Sequence, residues 1–274
     1  MILFRREITR KHLVEIPTYI RSFIRCFAIF ANPFWVIRSY ISQVAPTPNQ
    51  TSVALKSGQH IVLSAQEHDV VTAFMIFARQ EYGTIQKGQT VVDIGGNTGI
   101  FSLYAAVSGA AKINVYEPNS QACAVIQRNI SENGFDGVAQ LYQRCIDRVS
   151  HQQVRFPVTS SIFNKPIEGG PPATGQSVDI KVETESVETI SLADILHAFP
   201  NGLDVLKIDC EGCEYKVLLD ATPALLGKIN AIRLEYHDHK VDEMISNLAQ
   251  SGLLLTYHRE DFPGAGMLFF ERKR

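Results

Sequence analysis

The sequence predicts an α/β fold: an open, largely parallel sheet with helices on its faces, preceded by a helical extension. Three observations carry this. The apolar run Val91-Val92-Asp93-Ile94 breaks into Gly95-Gly96-Asn97-Thr98-Gly99 and then into the helical pattern Ile100–Val107, so a strand, a tight turn and a helix start follow one another directly. Strand and helix patterns then alternate to residue 142, and again from 192 to 251, the order of βαβ units. The chain closes on two strand-like runs, Leu253–His258 and Met267–Arg272, around Pro263-Gly264. With 274 residues, 45% of them hydrophobic, it is long enough for one such domain with an appendage. Residues 1–52 are expected to form a basic helical extension and linker, and residues 53–274 the domain, with its core at 91–251 and an insertion at 148–188.

The extension reads as helical over residues 7–42, broken at Pro17 and Pro33. Ile20, Phe23, Ile24, Phe27, Phe30 and Ala31 follow helical spacing, with Arg21 and Arg25 off that face. Residues 1–45 carry Arg5, Arg6, Arg10, Lys11, Arg21, Arg25 and Arg38 against Glu7 and Glu15. Two readings stand: a helix packed on its own domain, or peripheral contact with an anionic membrane. The run Cys26–Ala31 is far short of the roughly 20 residues that a spanning helix needs.

Ala45–Ser52 is a linker, Val53–Leu63 a small hairpin turning at Ser57-Gly58, and Ala65–Tyr82 a helix that buries Val70, Phe74, Phe77 and Ala78. After the glycine-rich turn come strand Lys112–Tyr116, helix Ser120–Asn133 and strand Val138–Tyr142. Residues 148–188, rich in proline and glycine, interrupt the rhythm as a binding loop, a lid or a surface excursion. Helix Leu192–Phe199, strand Leu203–Asp209, helix Glu214–Ala221, strand Ile229–Tyr236 and helix Val241–Ser251 follow.

A net charge of −2 leaves no overall footprint for nucleic acid. Five scattered cysteines argue against a disulfide scaffold and fit a reducing, cytoplasmic compartment.

A glycine-rich turn at a strand's carboxyl end is a cofactor cradle. A dinucleotide fits poorly, because Gly95-x-Asn97-x-Gly99 lacks the third glycine of that fingerprint and Asp93 would repel a pyrophosphate. A P-loop is excluded because no Gly-Lys-Ser/Thr follows. S-adenosylmethionine suits the site. It has no phosphate, its ammonium can face Asp93, and its ribose diol can be accepted by Glu117 at the end of the next strand.

Asp93–Leu103, Tyr116-Glu117-Pro118-Asn119, Leu206-Lys207-Ile208-Asp209-Cys210-Glu211-Gly212-Cys213-Glu214 and Leu234-Glu235-Tyr236-His237 occur in that order. Together they resemble the FkbM family of S-adenosylmethionine-dependent methyltransferases, over about Val91 to Ser251. The resemblance implies a class I, Rossmann-like methyltransferase sheet of seven strands, mostly parallel with the last antiparallel. It also implies O-methylation of a hydroxyl on a small molecule, sugar or glycan. Gly96 and Cys213 stand where the family commonly has alanine. Transfer to nitrogen or a carboxylate, and a non-catalytic cofactor-binding scaffold, are the alternatives; no Asp/Asn-Pro-Pro-Tyr block supports amine methylation.

The expected cofactor residues are Asp93, Gly95, Gly96, Asn97, Gly99, Glu117, Pro118 and Asn119, with Asp147 toward the adenine. On the acceptor side, Asp209 is the first candidate for general base or positioner, with orientation of the methionine or capping of the turn as its structural alternative. Lys207 is expected to pair with Glu211 or Glu214, and Glu211 to border the acceptor. His237, ending the neighbouring strand, is a second candidate base. Ser160-Ser161 are candidates for substrate contact or turn capping. His237-Asp238-His239 is a weak metal-ligand set, and no metal is expected. Cys210 and Cys213 are expected to be buried thiols packed as small hydrophobes.

Overall fold

The computed structural model describes residues 2–3, 6–7, 16–43, 47, 49–64, 68–158, 183–237 and 240–273. Two short strands, β1 (Ile2–Leu3) and β2 (Arg6–Glu7), pair antiparallel. Helices α1 (Ile16–Ile29) and α2 (Pro33–Ser42) follow. The break between them is made by Asn32, whose side chain accepts the Trp35 amide, and by Pro33 in the first turn of α2. Strands β3 (Ser52–Ala54) and β4 (His60–Val62) form the predicted hairpin. Helix α3 (Asp69–Ala73) runs into a π-helical turn, Phe74–Arg79, which stops at Gln80 in the left-handed region.

Strands β5 (Thr90–Ile94), β6 (Lys112–Tyr116) and β7 (Ala139–Tyr142) alternate with helices α4 (Ile100–Val107) and α5 (Ser120–Ser131). Strands β8 (Cys145–Ile146), β9 (Gln153–Pro157) and β10 (Thr184–Ile190) make a separate three-stranded sheet. That sheet joins β8, just ahead of the predicted insertion, to the insertion's two ends, β9 and β10. Ser160 and Ser161 lie outside the described residues. The remainder is α6 (Leu192–His197), β11 (Leu203–Ile208), α7 (Cys213–Leu218), α8 (Pro223–Leu226), β12 (Ile229–Tyr236), α9 (Val241–Gln250), β13 (Leu253–Phe262) and β14 (Ala265–Arg272).

The main sheet has seven strands in the order β13-β14-β12-β11-β5-β6-β7. β13, β12, β11, β5, β6 and β7 run in one direction, and β14, between β13 and β12, runs antiparallel to both neighbours. This is the expected class I methyltransferase architecture. Alternation along the strands divides the core. Val91, Val205 and Ala231 pack on the face covered by α1, α4 and α5, and Val92, Leu206 and Ile232 on the face covered by α6, α7 and α9. Both faces are buried, so the central strands read as unbroken apolar runs.

The predicted single apolar stripe of α1 is divided. Phe30 and Cys26 are buried and Phe23 packs on the same core, whereas Ile20, Ile24 and Phe27 face outward. No helix among the described residues is long and apolar enough to cross a membrane.

Candidate active site

The site is built at the carboxyl ends of β5, β6, β11 and β12. Asp93 and Lys207 are register partners on adjacent parallel strands. Their side chains therefore emerge side by side, with the Lys207 Nζ 3.0 Å from the Asp93 Oδ1 and both groups buried. The Ser102 hydroxyl donates to the Asp93 Oδ2 at 2.6 Å, and Lys207 donates to the Gly95 carbonyl at 2.6 Å. Burial pushes the Lys207 ammonium down, but the charges of Asp93 and Asp209 more than reverse this and hold it above its ordinary value.

One expectation is corrected here. Lys207 pairs with Asp93 rather than with Glu211 or Glu214, because Asp93 lies directly across the strand pair while the two glutamates lie beyond the turn. The Asp93 carboxylate is engaged with Lys207 and Ser102.

Gly95 adopts φ 74°, and a Cβ there would sit 1.8 Å from the Asp209 carbonyl oxygen. Only glycine lets the two strand tips approach this closely. A Cβ on Gly96 would come within 2.5 Å of Val115 Cγ1. Asn97 also takes a left-handed conformation, φ 48°. Gly99 precedes α4 with no side-chain cap, so the first amides of that helix face the turn.

Glu117 closes the cradle from the tip of β6. Its Oε2 accepts the Asn97 amide at 2.8 Å and its Oε1 the Asn119 amide at 2.9 Å. Each oxygen retains a lone pair for a ligand. Burial lifts this carboxyl to about 7, against the opposing pull of the two amides and Lys207. Asn119 is a helix cap, its Oδ1 accepting the Ala122 amide at 3.0 Å. The Pro118 carbonyl accepts from Gln143 Nε2. The Asp147 carboxylate accepts the Arg148 amide, and the Asp147 backbone N–H bonds Ile190 on β10, tying this residue to the small sheet.

The cradle fits S-adenosylmethionine. A buried carboxyl with two open acceptor sites faces a tight glycine turn, and the nearby Lys207 ammonium is committed to Asp93 rather than offered to a phosphate.

A second polar cluster gathers at the ends of β11 and β12 and contains two residues absent from the sequence-based expectation. Tyr82, just beyond the π-helical turn, donates its hydroxyl to the Asp209 Oδ2 at 2.8 Å and lies 3.4 Å from the Glu235 Oε2. Burial and then the charges of Asp209 and Glu235 hold its phenol well above the usual range, so it remains a donor. Glu235 is raised to about 8, first by burial and then by Asp209. An aromatic residue with a polar tip at the end of a helix was the available signal for Tyr82; nothing local pointed to its partner.

His237 Nδ1 lies 2.8 Å from the fully buried Glu214, which also accepts the Gly212 amide. Its Nε2 faces Glu211 at 3.7 Å and Glu235 at 3.8 Å. Burial pushes the imidazole down, but Glu214, Glu211 and Glu235 more than compensate and bring it to about 9. At neutral pH His237 is therefore an imidazolium, not the neutral base that its ordinary value would suit. Asp209, Glu211 and His237 each place one ligand-type atom within 4.8 Å of the others. In this arrangement His237 Nδ1 is bound to Glu214 and Nε2 faces Glu211 and Glu235. Asp238 and His239 lie outside the described residues.

Cys210 and Cys213 are joined in a disulfide, with Cα atoms 5.5 Å apart, rather than being separate packed thiols. Glu211 at φ 55° and Gly212 at φ 105° curl the intervening turn enough to bring the two together. The remaining cysteines, Cys26, Cys123 and Cys145, are free and buried.

A cavity of about 500 Å³ bordered by Ile29, Leu55, Phe77, Ile85 and Tyr104 is elsewhere, near the end of α4.

The methyltransferase FkbM domain family matches residues 93–255. A ribosomal protein L11 methyltransferase of Desulforamulus reducens is 26% identical over 103 residues, 37% of this chain and 32% of that protein. The chain thus spans about a third of the length of that curated relative. Among solved structures, the methyltransferase FkbM from Methylobacillus flagellatus KT aligns over 95% of this chain and 60% of its own, with 12% identity and a TM-score of 0.48. M. capricolum TrmK, solved with S-adenosyl-homocysteine, aligns over 71% of this chain and 67% of its own, with 10% identity and a TM-score of 0.45. The family match covers more than half of the sequence, and the chain belongs to the FkbM methyltransferase family.

Proposed function

We propose that the protein transfers a methyl group from S-adenosylmethionine to a hydroxyl of a small molecule, sugar or glycan. The observation that carries this reading is the acidic mouth beside the cofactor turn. Asp209, whose backbone packs against Gly95, is joined there by Glu211 next to His237, while Glu235, raised to about 8, adds a protonated carboxyl. Carboxylates accept from hydroxyls and repel the phosphates of a nucleic acid.

S-adenosylmethionine supplies an electrophilic methyl group on its sulfonium. Glu117 holds the ribose diol, and the glycine turn and the start of α4 bring backbone amides to the rest of the cofactor. Asp209 orients the acceptor hydroxyl and takes its proton at a carboxylate oxygen, while Tyr82 fixes that carboxylate through the other hydrogen-bonding direction. The His237 imidazolium offsets the accumulated negative charge and is itself held by Glu214.

Calorimetry with S-adenosylmethionine, followed by detection of S-adenosylhomocysteine with panels of polyhydroxylated compounds, RNA and protein, tests the reading. Wild-type protein binds the cofactor, Glu117→Ala weakens binding by roughly tenfold or more, and turnover depends on a hydroxyl acceptor. Asp209→Asn retains binding and loses turnover. Turnover with RNA or a protein amine instead would overturn the acceptor assignment, and absence of cofactor binding would overturn the whole reading.

A further inference from the structure

We infer that the outward face of α1, together with the start of α2, is a docking surface for an anionic lipid membrane. Ile16, Ile20, Ile24 and Phe27 succeed one another at helical spacing along one side of α1 and are 44–66% exposed. Phe34, at the start of α2, is 73% exposed and meets Phe27 edge to face, with ring centroids 5.2 Å apart. The row is continuous, and it is distinct from the face that packs on the domain through Phe23, Cys26 and Phe30.

A helix whose inner face already fills a core gains nothing in water by carrying a second apolar row. Rows of this kind mark contact with a partner or a membrane. The charges select the partner. From Ile16 to Gln66 the chain holds Arg21, Arg25, Arg38 and Lys56 and no aspartate or glutamate, although its net charge is −2. Arg25 turns inward and donates to the Ala78 carbonyl, whereas Arg21, Arg38 and Lys56 are exposed. Lys56 is tied to the row itself, its Nζ donating to the Phe27 carbonyl at 2.5 Å. Cations flanking an exposed apolar row match a surface of phospholipid headgroups, whose anionic fraction each exposed cation can reach while the apolar side chains enter the boundary with the acyl chains. With 14 residues, α1 is suited to lying on that surface and is too short to span it.

Flotation of the full-length protein with vesicles tests this, using phosphatidylcholine alone and equal parts of phosphatidylcholine and phosphatidylglycerol. The protein floats with the anionic vesicles, remains behind with the neutral ones, and is released as salt is raised. Ile24→Ser with Phe34→Ser lowers the partition by about tenfold or more, with an unchanged thermal melt because both side chains already face water. Arg21→Glu with Arg38→Glu abolishes the preference for phosphatidylglycerol. Failure of the wild type to float, or flotation unaffected by the Ile24/Phe34 variant, overturns the inference. Light scattering that shows a dimer lost in that variant assigns the face to a second copy and overturns it as well.

Discussion

The Lys207 ammonium lies 3.0 Å from the Asp93 carboxylate, with 4% and 0% of the two side chains exposed. This buried pair joins β5, which enters the glycine-rich turn, to β11, which leads into Asp209. Its value lies in being complete, since a buried charge without its partner is costly.

Lys207→Met leaves Asp93 buried with Ser102 as its remaining side-chain partner. Urea unfolding should show a loss of about 3–5 kcal/mol. Adding Asp93→Asn should restore part of that loss, because the unpaired charge is gone. Equal stability of the two variants would contradict the pairing.

Gly95 and Gly134 have nearly the same positive φ, 74° and 73°, in different surroundings. A Cβ at Gly134 meets nothing within 4 Å, whereas one at Gly95 collides with the Asp209 carbonyl. Gly134→Ala should cost only the roughly 1–2 kcal/mol of a left-handed alanine. Gly95→Ala should cost several times more and abolish cofactor binding, as thermal melts and calorimetry would show.

Glu117 is raised from 4.5 to about 7, chiefly by burial. Between these values the folded protein holds a proton that the unfolded chain has released, so stability falls as pH rises through this window and levels off above about 7. In cofactor-free protein, Glu117→Gln should flatten this slope while adding a constant cost from the amide that faces backbone donors. Melting temperatures recorded from pH 4 to 8 in wild type and variant provide the comparison. Identical slopes would refute the burial of this proton.

Tyr82→Phe removes one hydroxyl from the Asp209 carboxylate. A hydrogen bond to a charged group is worth about 1.5–3 kcal/mol. With an acceptor identified, kcat should fall roughly tenfold or more, with the affinity for S-adenosylmethionine little changed because Tyr82 bonds the acceptor-side carboxylate. A loss confined to cofactor affinity would place Tyr82 in the wrong half of the site.

The elements of the candidate cofactor cradle were legible before the fold was known. Strand, glycine turn and helix are contiguous from Val91 to Val107, and Glu117 ends the next strand. Each is written in residues a few positions apart, where alternation and turn chemistry act locally. The cluster around Asp209 and His237 was only partly legible. Asp209, Glu211 and His237 stand out as polar residues at strand ends, but the charge state of His237 depends on Glu214, Glu211 and Glu235 arriving together around it.

The sequence by itself determined the α/β class, the order of the strands and helices, the cofactor turn and the family, because periodicity and short motifs record local geometry. The tertiary structure decided the pairing of Lys207 with Asp93, the approach of Tyr82 to Asp209 across 127 residues, the joining of Cys210 to Cys213 and the division of α1 into a buried and an exposed face. Strand register, turn curvature and packing set these relationships. They depend on which distant backbones lie side by side, and a single sequence read along its length does not contain that adjacency.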